Sequence, residues 1–152
     1  MLVKDVMSKN VITISSEESV RDAIEKMAKN NISGLIVVEN EKVVGVISES
    51  DIIKFVSSEF PEIKTPMNVT LSILQVLESG IRIIKEMKKI GKLKVKDLMN
   101  KKIFSVKPED TILEAARTMS KKDVRRLPVI DESGKLVGVI SRTDILKALV
   151  KE

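Results

Sequence analysis

The sequence predicts an α+β protein. Two β-α-β-β-α units pack sheet to sheet with pseudo-two-fold symmetry, and a helical segment lies between them. Three observations carry this reading. First, Val3-Lys4-Asp5-Val6-Met7 recurs 92 positions later as Val95-Lys96-Asp97-Leu98-Met99. The match continues through Glu17 and Glu109, Ala23 and Ala115, Met27 and Met119, Leu35 and Leu127, and Val37 and Val129. Second, after one inserted residue near Gly134 it resumes at a spacing of 93 and is densest in residues 42–48 against 135–141. Third, within each copy runs of β-branched residues alternate with stretches whose apolar positions step by three and four. A repeat of this size indicates paired modules rather than a solenoid. The units occupy residues 1–58 and 95–152, with 59–94 between them. A unit this small can hardly bury its own sheet, whereas two can cover each other.

Each unit opens on a short β run, residues 11–14 and 103–106. A helix follows. In the first unit Ser15 or Ser16 is placed to cap it, with Glu17 and Glu18 in the first turn; in the second, Pro108 stands near the first helical position, ahead of Glu109 and Asp110. The expected buried stripe is Val20, Ala23, Ile24, Met27 and Ala28 in one copy, and Ile112, Ala115, Ala116 and Met119 in the other. Two hairpins come next, 35–39 with 43–48 and 127–131 with 136–141, turning at Asn40-Glu41 and at Glu132-Ser133-Gly134. Gly134 supplies a residue able to take positive φ in the longer turn. Each unit closes on a helix, carrying Ile52, Ile53, Phe55 and Val56 or Ile145, Leu146, Ala148 and Leu149. Between the units, residues 61–66 read as a Pro-punctuated linker. Asn68 is placed to cap a helix reaching Ile90, Gly91 to stop it and Gly80 to break it. That helix is apolar over most of its circumference, so it calls for cover on more than one side, from the module and from a second subunit, with an intramolecular lid and no dimer as the alternative.

Composition narrows the chemistry. The 152 residues include no Cys, no His, no Trp and no Tyr, so the core is aliphatic, helped by seven Met. Disulfides, thiol nucleophiles and His bases are excluded, and almost all zinc sites with them. No apolar run approaches the ~18 residues of a membrane span, and no secretory signal is visible at the N-terminus; a soluble, cytoplasmic protein is expected. The Lys- and Glu-rich, Cys-free make-up resembles that of thermophile proteins. The net charge of +5 is concentrated between Arg82 and Lys102. A nucleic-acid surface and a solvated helix face both fit this segment, but no aromatic side chain interleaves with its cations to stack a base.

The longest repeated block is Gly45-Val46-Ile47-Ser48-Glu49-Ser50-Asp51 against Gly138-Val139-Ile140-Ser141-Arg142-Thr143-Asp144. Its Ser-x-x-Asp is a capping box at the start of a helix. The same geometry serves a ligand: free amides at a helix start favour phosphate, and an adjacent carboxylate accepts from the two hydroxyls of a ribose. The copies differ where Arg125-Arg126 of the second unit replaces Ser33-Gly34 of the first. Two adjacent guanidinium groups suit phosphate, although solvated surface arginines have the same sequence appearance.

The repeat, the Val-Lys-Asp lead-in, the strand Arg126-Leu127-Pro128-Val129-Ile130-Asp131 and the two Gly-Val-Ile-Ser-x-x-Asp blocks together resemble a tandem pair of CBS (cystathionine β-synthase) domains, a Bateman module. The 59–94 segment resembles, less diagnostically, the insertion of some archaeal stand-alone members. The resemblance implies Asp51 and Asp144 on ribose, Ser48 and Ser141 near phosphate, and adenine against the main chain around Ile12-Thr13 and Phe104-Ser105. Ile14, Ile32, Val106, Val124 and Pro128 are suited to bound an adenine slot. The expected ligand is AMP, ADP, ATP or an S-adenosylmethionine-like molecule, bound as a signal and not as a catalytic cofactor. No catalytic constellation is visible. A regulatory module acting on a separate downstream protein is expected, and a homodimer with either relative orientation. A nucleic-acid-binding protein and a structural dimer with degenerate sites are the alternatives.

Overall fold

The structure, a computed structural model, describes residues 1–59 and 73–151. Its elements run α1 (Val3–Val6), β1 (Thr13–Ser15), α2 (Val20–Asn30), β2 (Gly34–Glu39), β3 (Lys42–Ser48), α3 (Glu49–Glu59), α4 (Ile73–Lys92), α5 (Val95–Leu98), α6 (Ile112–Lys122), β4 (Arg126–Ile130), β5 (Leu136–Ser141) and α7 (Arg142–Val150). The first sheet has the order β1-β2-β3, with β1 parallel and β3 antiparallel to β2. The second consists of the antiparallel pair β4-β5. Equivalent register shifts occur at Val37/Val38 and Val129/Ile130. Asn40 and Glu41 both take positive φ in the first hairpin turn, and Gly134 does so in the second.

The expected β run at 103–106 is not a strand. Only Val106 bridges, in parallel, to Val129, through Val106 N to Pro128 O (3.1 Å) and Ile130 N to Val106 O (2.9 Å). The next donor back along that ladder would be the amide of residue 128, and proline has none. Ile36 stands at the equivalent place in the first unit and has its N–H, so β1 extends to three residues there.

The helix starts also differ from expectation. Ser19 caps α2, accepting from Asp22 N while the Asp22 carboxylate accepts from Ser19 N. Thr111 caps α6 in the same way with Glu114. Ser15 and Ser16 are otherwise engaged: both hydroxyls donate to Glu39 Oε1 at 2.7 Å, as does the Ser16 amide at 2.9 Å. Residues 107–110 form a turn closed by Asp110 N to Lys107 O, so Pro108 precedes the helix by more than its expected place. On α2 the stripe is narrower than expected, since Val20, Ala23 and Met27 are buried but Ile24 and Ala28 are exposed. α4 runs unbroken through Gly80 and includes Gly91; Asn68 and the 61–66 linker lie outside the described residues.

Two cores form, and each takes its lead-in from the other half of the chain. Val95 is buried with Ile14, Val20, Met27, Leu35, Val37 and Ile47, while Leu98 and Met99 pack at the edge. Val3 is buried with Val106, Met119, Leu127, Val129 and Ile140, beside Val6 and Met7. Backbone bonds fix the exchange. Val95 N reaches Glu18 O and Lys96 N reaches Ser16 O; correspondingly Val3 N reaches Asp110 O and Lys4 N reaches Pro108 O. Asn100 exchanges two bonds with Val46, and Ser8 exchanges two with Val139. Here the recurring glycines have a physical reason. A Cβ on Gly45 would stand 2.7 Å from Met99 Sδ, and one on Gly138 would stand 2.6 Å from Met7 Sδ. The exchanged lead-in therefore crosses each strand where no side chain intervenes. The hairpins also meet, through the Lys42–Lys135 bridge and Leu136 N to Glu41 O.

Candidate functional site

The two repeated blocks form equivalent strand-to-helix junctions. At the second, Asp144 N donates to Ser141 Oγ (3.1 Å) and Ser141 N donates to Asp144 Oδ2 (2.9 Å). At the first, Asp51 N donates to Ser48 Oγ (3.3 Å), while Ser48 N and Ser48 Oγ both donate to Asp51 Oδ2 at 2.9 Å. The cap is thus real in both copies. It fixes each carboxylate, half-buried, by one oxygen. Oδ1 of Asp51 and of Asp144 accepts no hydrogen bond among the described residues, and that lone-pair edge is available to a diol.

The preceding loops are fastened to these helix starts. Glu49 N donates to Ser33 O (2.9 Å) and Arg142 N to Arg125 O (3.0 Å). Gly34 pairs with Ser48 in the ladder, and Arg126 with Ser141. The register thus places Arg125 and Arg126, both exposed, beside the Ser141–Asp144 cap. In the first turn of α7 the amides of Arg142 and Asp144 are engaged, whereas that of Thr143 has no partner among the described residues; Ser50 stands equivalently on α3.

The residues of the proposed adenine side separate. Ile14, Ile12 and Ile32 belong to the first core, and Val106, Phe104 and Val124 to the second. Ile14 and Val106 are too deeply buried to line an open slot, and Pro128 is buried within β4. The five residues of the expected slot are thus divided between the two cores. Thr13 O accepts from Lys26 Nζ at 2.9 Å, Ser105 is exposed, and Lys122 Nζ stands 5.0 Å from the centre of the Phe104 ring.

Sequence reading missed one pair. Arg142 and Glu49 occupy the same position after their caps with opposite charge. Arg142 Nε donates to Val124 O (3.2 Å) and Nη2 to Asp123 Oδ1 (3.4 Å). The signal was present in the repeat itself, at an unmatched position inside the best-matched block. With Arg125 and Arg126 against Ser33 and Gly34, three matched positions hold three cations in the second unit and one carboxylate, Glu49, in the first.

Elsewhere, Lys94 Nζ and Lys96 Nζ hold Glu17 at 2.6 and 2.9 Å, and their hydrogen bonds pull its carboxyl down to about 2. Hydrogen bonds from the Ser16 and Ser15 hydroxyls and the Ser16 amide also hold Glu39 below the usual carboxylate range. Three lysines of the basic segment are therefore paired, since Lys89 also bridges to Glu86. Among the described residues no cluster of metal-ligating side chains occurs, and no helix is long and apolar enough to cross a membrane.

The family model described as CBS domain matches residues 3–58 and again 95–151. The chain belongs to the CBS domain family. It is a tandem CBS pair, and its fold is that of such pairs. The chain is 35% identical to the uncharacterized protein MJ1426 of Methanocaldococcus jannaschii, covering 99% of this chain and 92% of that one. It is 33% identical to inosine-5'-monophosphate dehydrogenase of the same organism over 94% of this chain, but spans only 22% of that protein. Among solved structures it resembles CBSX2 in complex with AMP, at a TM-score of 0.70 and 26% identity, covering 98% of this chain and 96% of that one.

Proposed function

We propose that this CBS pair binds adenosine-containing nucleotides at its two strand-to-helix junctions and reports their occupancy to a separate protein. The observation that carries the reading is the duplicated reciprocal Ser–Asp cap. It holds a half-buried carboxylate with one oxygen outside the cap, beside a first-turn amide that has no partner among the described residues. A ribose diol suits the carboxylate and a phosphate suits the amide and nearby cations. The AMP complex of CBSX2 supports the same ligand class. Ile12, Thr13, Phe104, Ser105, Val124 and Pro128 are assigned to the adenine side. Pairing of Lys89, Lys94 and Lys96 favours this reading over a nucleic-acid surface.

The two sites have different ligands. The second, with Arg125, Arg126 and Arg142, takes a phosphorylated nucleotide. The first, with Ser33, Gly34 and Glu49, takes an adenosine derivative without phosphate, including a cationic S-adenosylmethionine-like one. A thermal-shift panel of AMP, ADP, ATP and S-adenosylmethionine tests ligand binding; a ligand at 100 times its Kd adds about 2.7 kcal/mol. No shift with any of the four refutes the proposal and leaves a structural role. In calorimetry with AMP, Asp144→Asn loses at least about tenfold in affinity, equivalent to one charge-assisted hydrogen bond, whereas Asp51→Asn changes it little. Equal losses refute the division between sites.

A further inference from the structure

Strand β1 is paired on one edge, by β2. On its other edge two side chains of the following segment stand where a further strand would. Lys26 Nζ, reaching from α2, donates to Thr13 O at 2.9 Å, and Ser15 N donates to Glu18 Oε2 at 2.8 Å. Lys26 and Glu18 are themselves 3.9 Å apart, so ammonium and carboxylate support each other there. The second unit keeps one of these bonds and lacks the other. Lys107 N donates to Asp110 Oδ2 at 2.8 Å, as Ser15 N does to Glu18. Thr118 stands where α2 has Lys26, and its hydroxyl turns back on its own helix, donating to Glu114 O at 3.0 Å. The N–H and C=O of Ser105, which matches Thr13, have no partner among the described residues. Lys26 is therefore what separates the two edges.

Register puts this edge at the same end of the sheet as the Ser–Asp cap. Thr13 lies opposite Ile36, two residues along β2 from Gly34, and Gly34 lies opposite Ser48. Because β1 and β3 flank β2, the cap and the edge carbonyl stand about two strand spacings apart across the sheet, roughly 10 Å. A nucleoside spans such a gap lengthwise, with its ribose at one end and the amino edge of adenine at the other. A backbone N–H and C=O side by side match that edge: the C=O accepts from the exocyclic amine, and the N–H donates to the ring nitrogen beside it. Ser105 offers both groups. Thr13 offers a carbonyl already bonded to an ammonium, which competes with an amine and would itself donate to a base carrying an oxygen at that position.

We propose that Lys26 is an internal competitor for the adenine position of the first site, so that the second site fills first and the first fills only at higher nucleoside concentration. The inference rests on the nucleotide reading above, with adenine on the Thr13 and Ser105 side, and names the residue that regulates one of its two sites. An entering adenine detaches Lys26 from Thr13 O, and the ammonium turns to water and to Glu18. The Lys26 side chain is 40% exposed, so its release costs little and is reversible. The first site is thus weakened rather than abolished, and the pair responds to its ligands in two stages.

The test uses the full chain, with adenosine and inosine as probes. Asp144→Asn weakens the second site and leaves the first to be read. Adding Lys26→Met keeps the aliphatic stem and removes the amine. Calorimetry then shows adenosine bound about three- to tenfold more tightly than by Asp144→Asn alone, the worth of one part-exposed hydrogen bond. Inosine, whose 6-oxygen has no proton to donate to Thr13 O, gains nothing. The preference for adenosine over inosine therefore rises, which a change in packing alone would not produce. Unchanged adenosine affinity, or an equal gain for both nucleosides, in a chain that circular dichroism shows to be folded, overturns the proposal. If the wild-type chain binds AMP while Lys26→Met leaves adenosine affinity unchanged, the role of Lys26 fails and the nucleotide sites stand. If the wild-type chain binds neither AMP nor adenosine, the sites fail and the competitor with them.

Discussion

Gly138→Ala is expected to destabilise the protein by about 2–3 kcal/mol. The new methyl carbon would lie 2.6 Å from Met7 Sδ and 2.9 Å from Ser8 O. The thioether can swing away, because Met7 is a flexible side chain. Ser8 O cannot move so easily: it accepts from Val139 N at 2.9 Å, and Ser8 N donates to Val139 O at 2.9 Å. Relief requires lifting the exchanged lead-in from β5 and weakening both bonds. Overpacking typically costs about 1–3 kcal/mol, and each weakened backbone bond contributes about 1 kcal/mol. These terms overlap, because one displacement relieves the first by incurring the second. Gly45→Ala is expected to cost less, since the backbone atom it meets, Asn100 O, is 3.1 Å away. Chemical denaturation followed by circular dichroism gives both values at once. A Gly138→Ala chain as stable as wild type would refute the crossing of the lead-in over β5.

Other outcomes follow from the same contacts. Gly80→Ala, where an added Cβ meets nothing within 4 Å among the described residues, stabilises helix α4 by about 0.5–1 kcal/mol in the same denaturation assay. Val3→Ala removes methyl groups from a fully buried position and costs about 1–3 kcal/mol. Hydrogen exchange then rises first in β4, β5 and α6, although residue 3 begins the other repeat. Glu17 has its carboxyl lowered from 4.5 to about 2 in the folded chain by Lys94 and Lys96. Its contribution is therefore present above pH 4.5 and lost as pH falls towards 2. The stability difference between wild type and Glu17→Gln should vanish over that window and shrink with added salt. Ser141→Ala removes the α7 cap and lowers stability by about 1 kcal/mol, measured without ligand.

Much of the architecture was legible because the repeat supplied two independent readings of each element. Both hairpins, the positive φ of Gly134 and the Ser–Asp caps occur where the pattern placed them; the positive φ of Asn40 and Glu41 was not signalled. Failures fall where a distant partner decided. Ser15 and Ser16 look like caps until Glu39, more than twenty residues away, takes both hydroxyls. Residues 103–106 look as strand-like as 11–14, but the missing donor is on Pro128, in another element. Ile24 steps correctly for a buried stripe, yet the face it joins is left open. At the site, Asp51, Asp144, Ser48 and Ser141 could be named from spacing alone. The opposition of Glu49 and Arg142 was visible but had no meaning until both were placed on equivalent helix starts.

The sequence by itself determined the duplicated helix–hairpin–helix pattern, the strand-to-helix junctions and the charge difference between them. These are local features, set by periodicity, capping chemistry and residue identity within a few positions. Only the tertiary structure decided which half completes which core. Val3 and Val95 have the same local sequence context, so no local rule assigns either to a partner. The assignment comes from the bridges Ser8–Val139 and Asn100–Val46, and from the bare glycines beneath them. Backbone pairing between segments far apart in the chain has no local signature, and close packing at Gly45 and Gly138 permits the exchange where a side chain would block it.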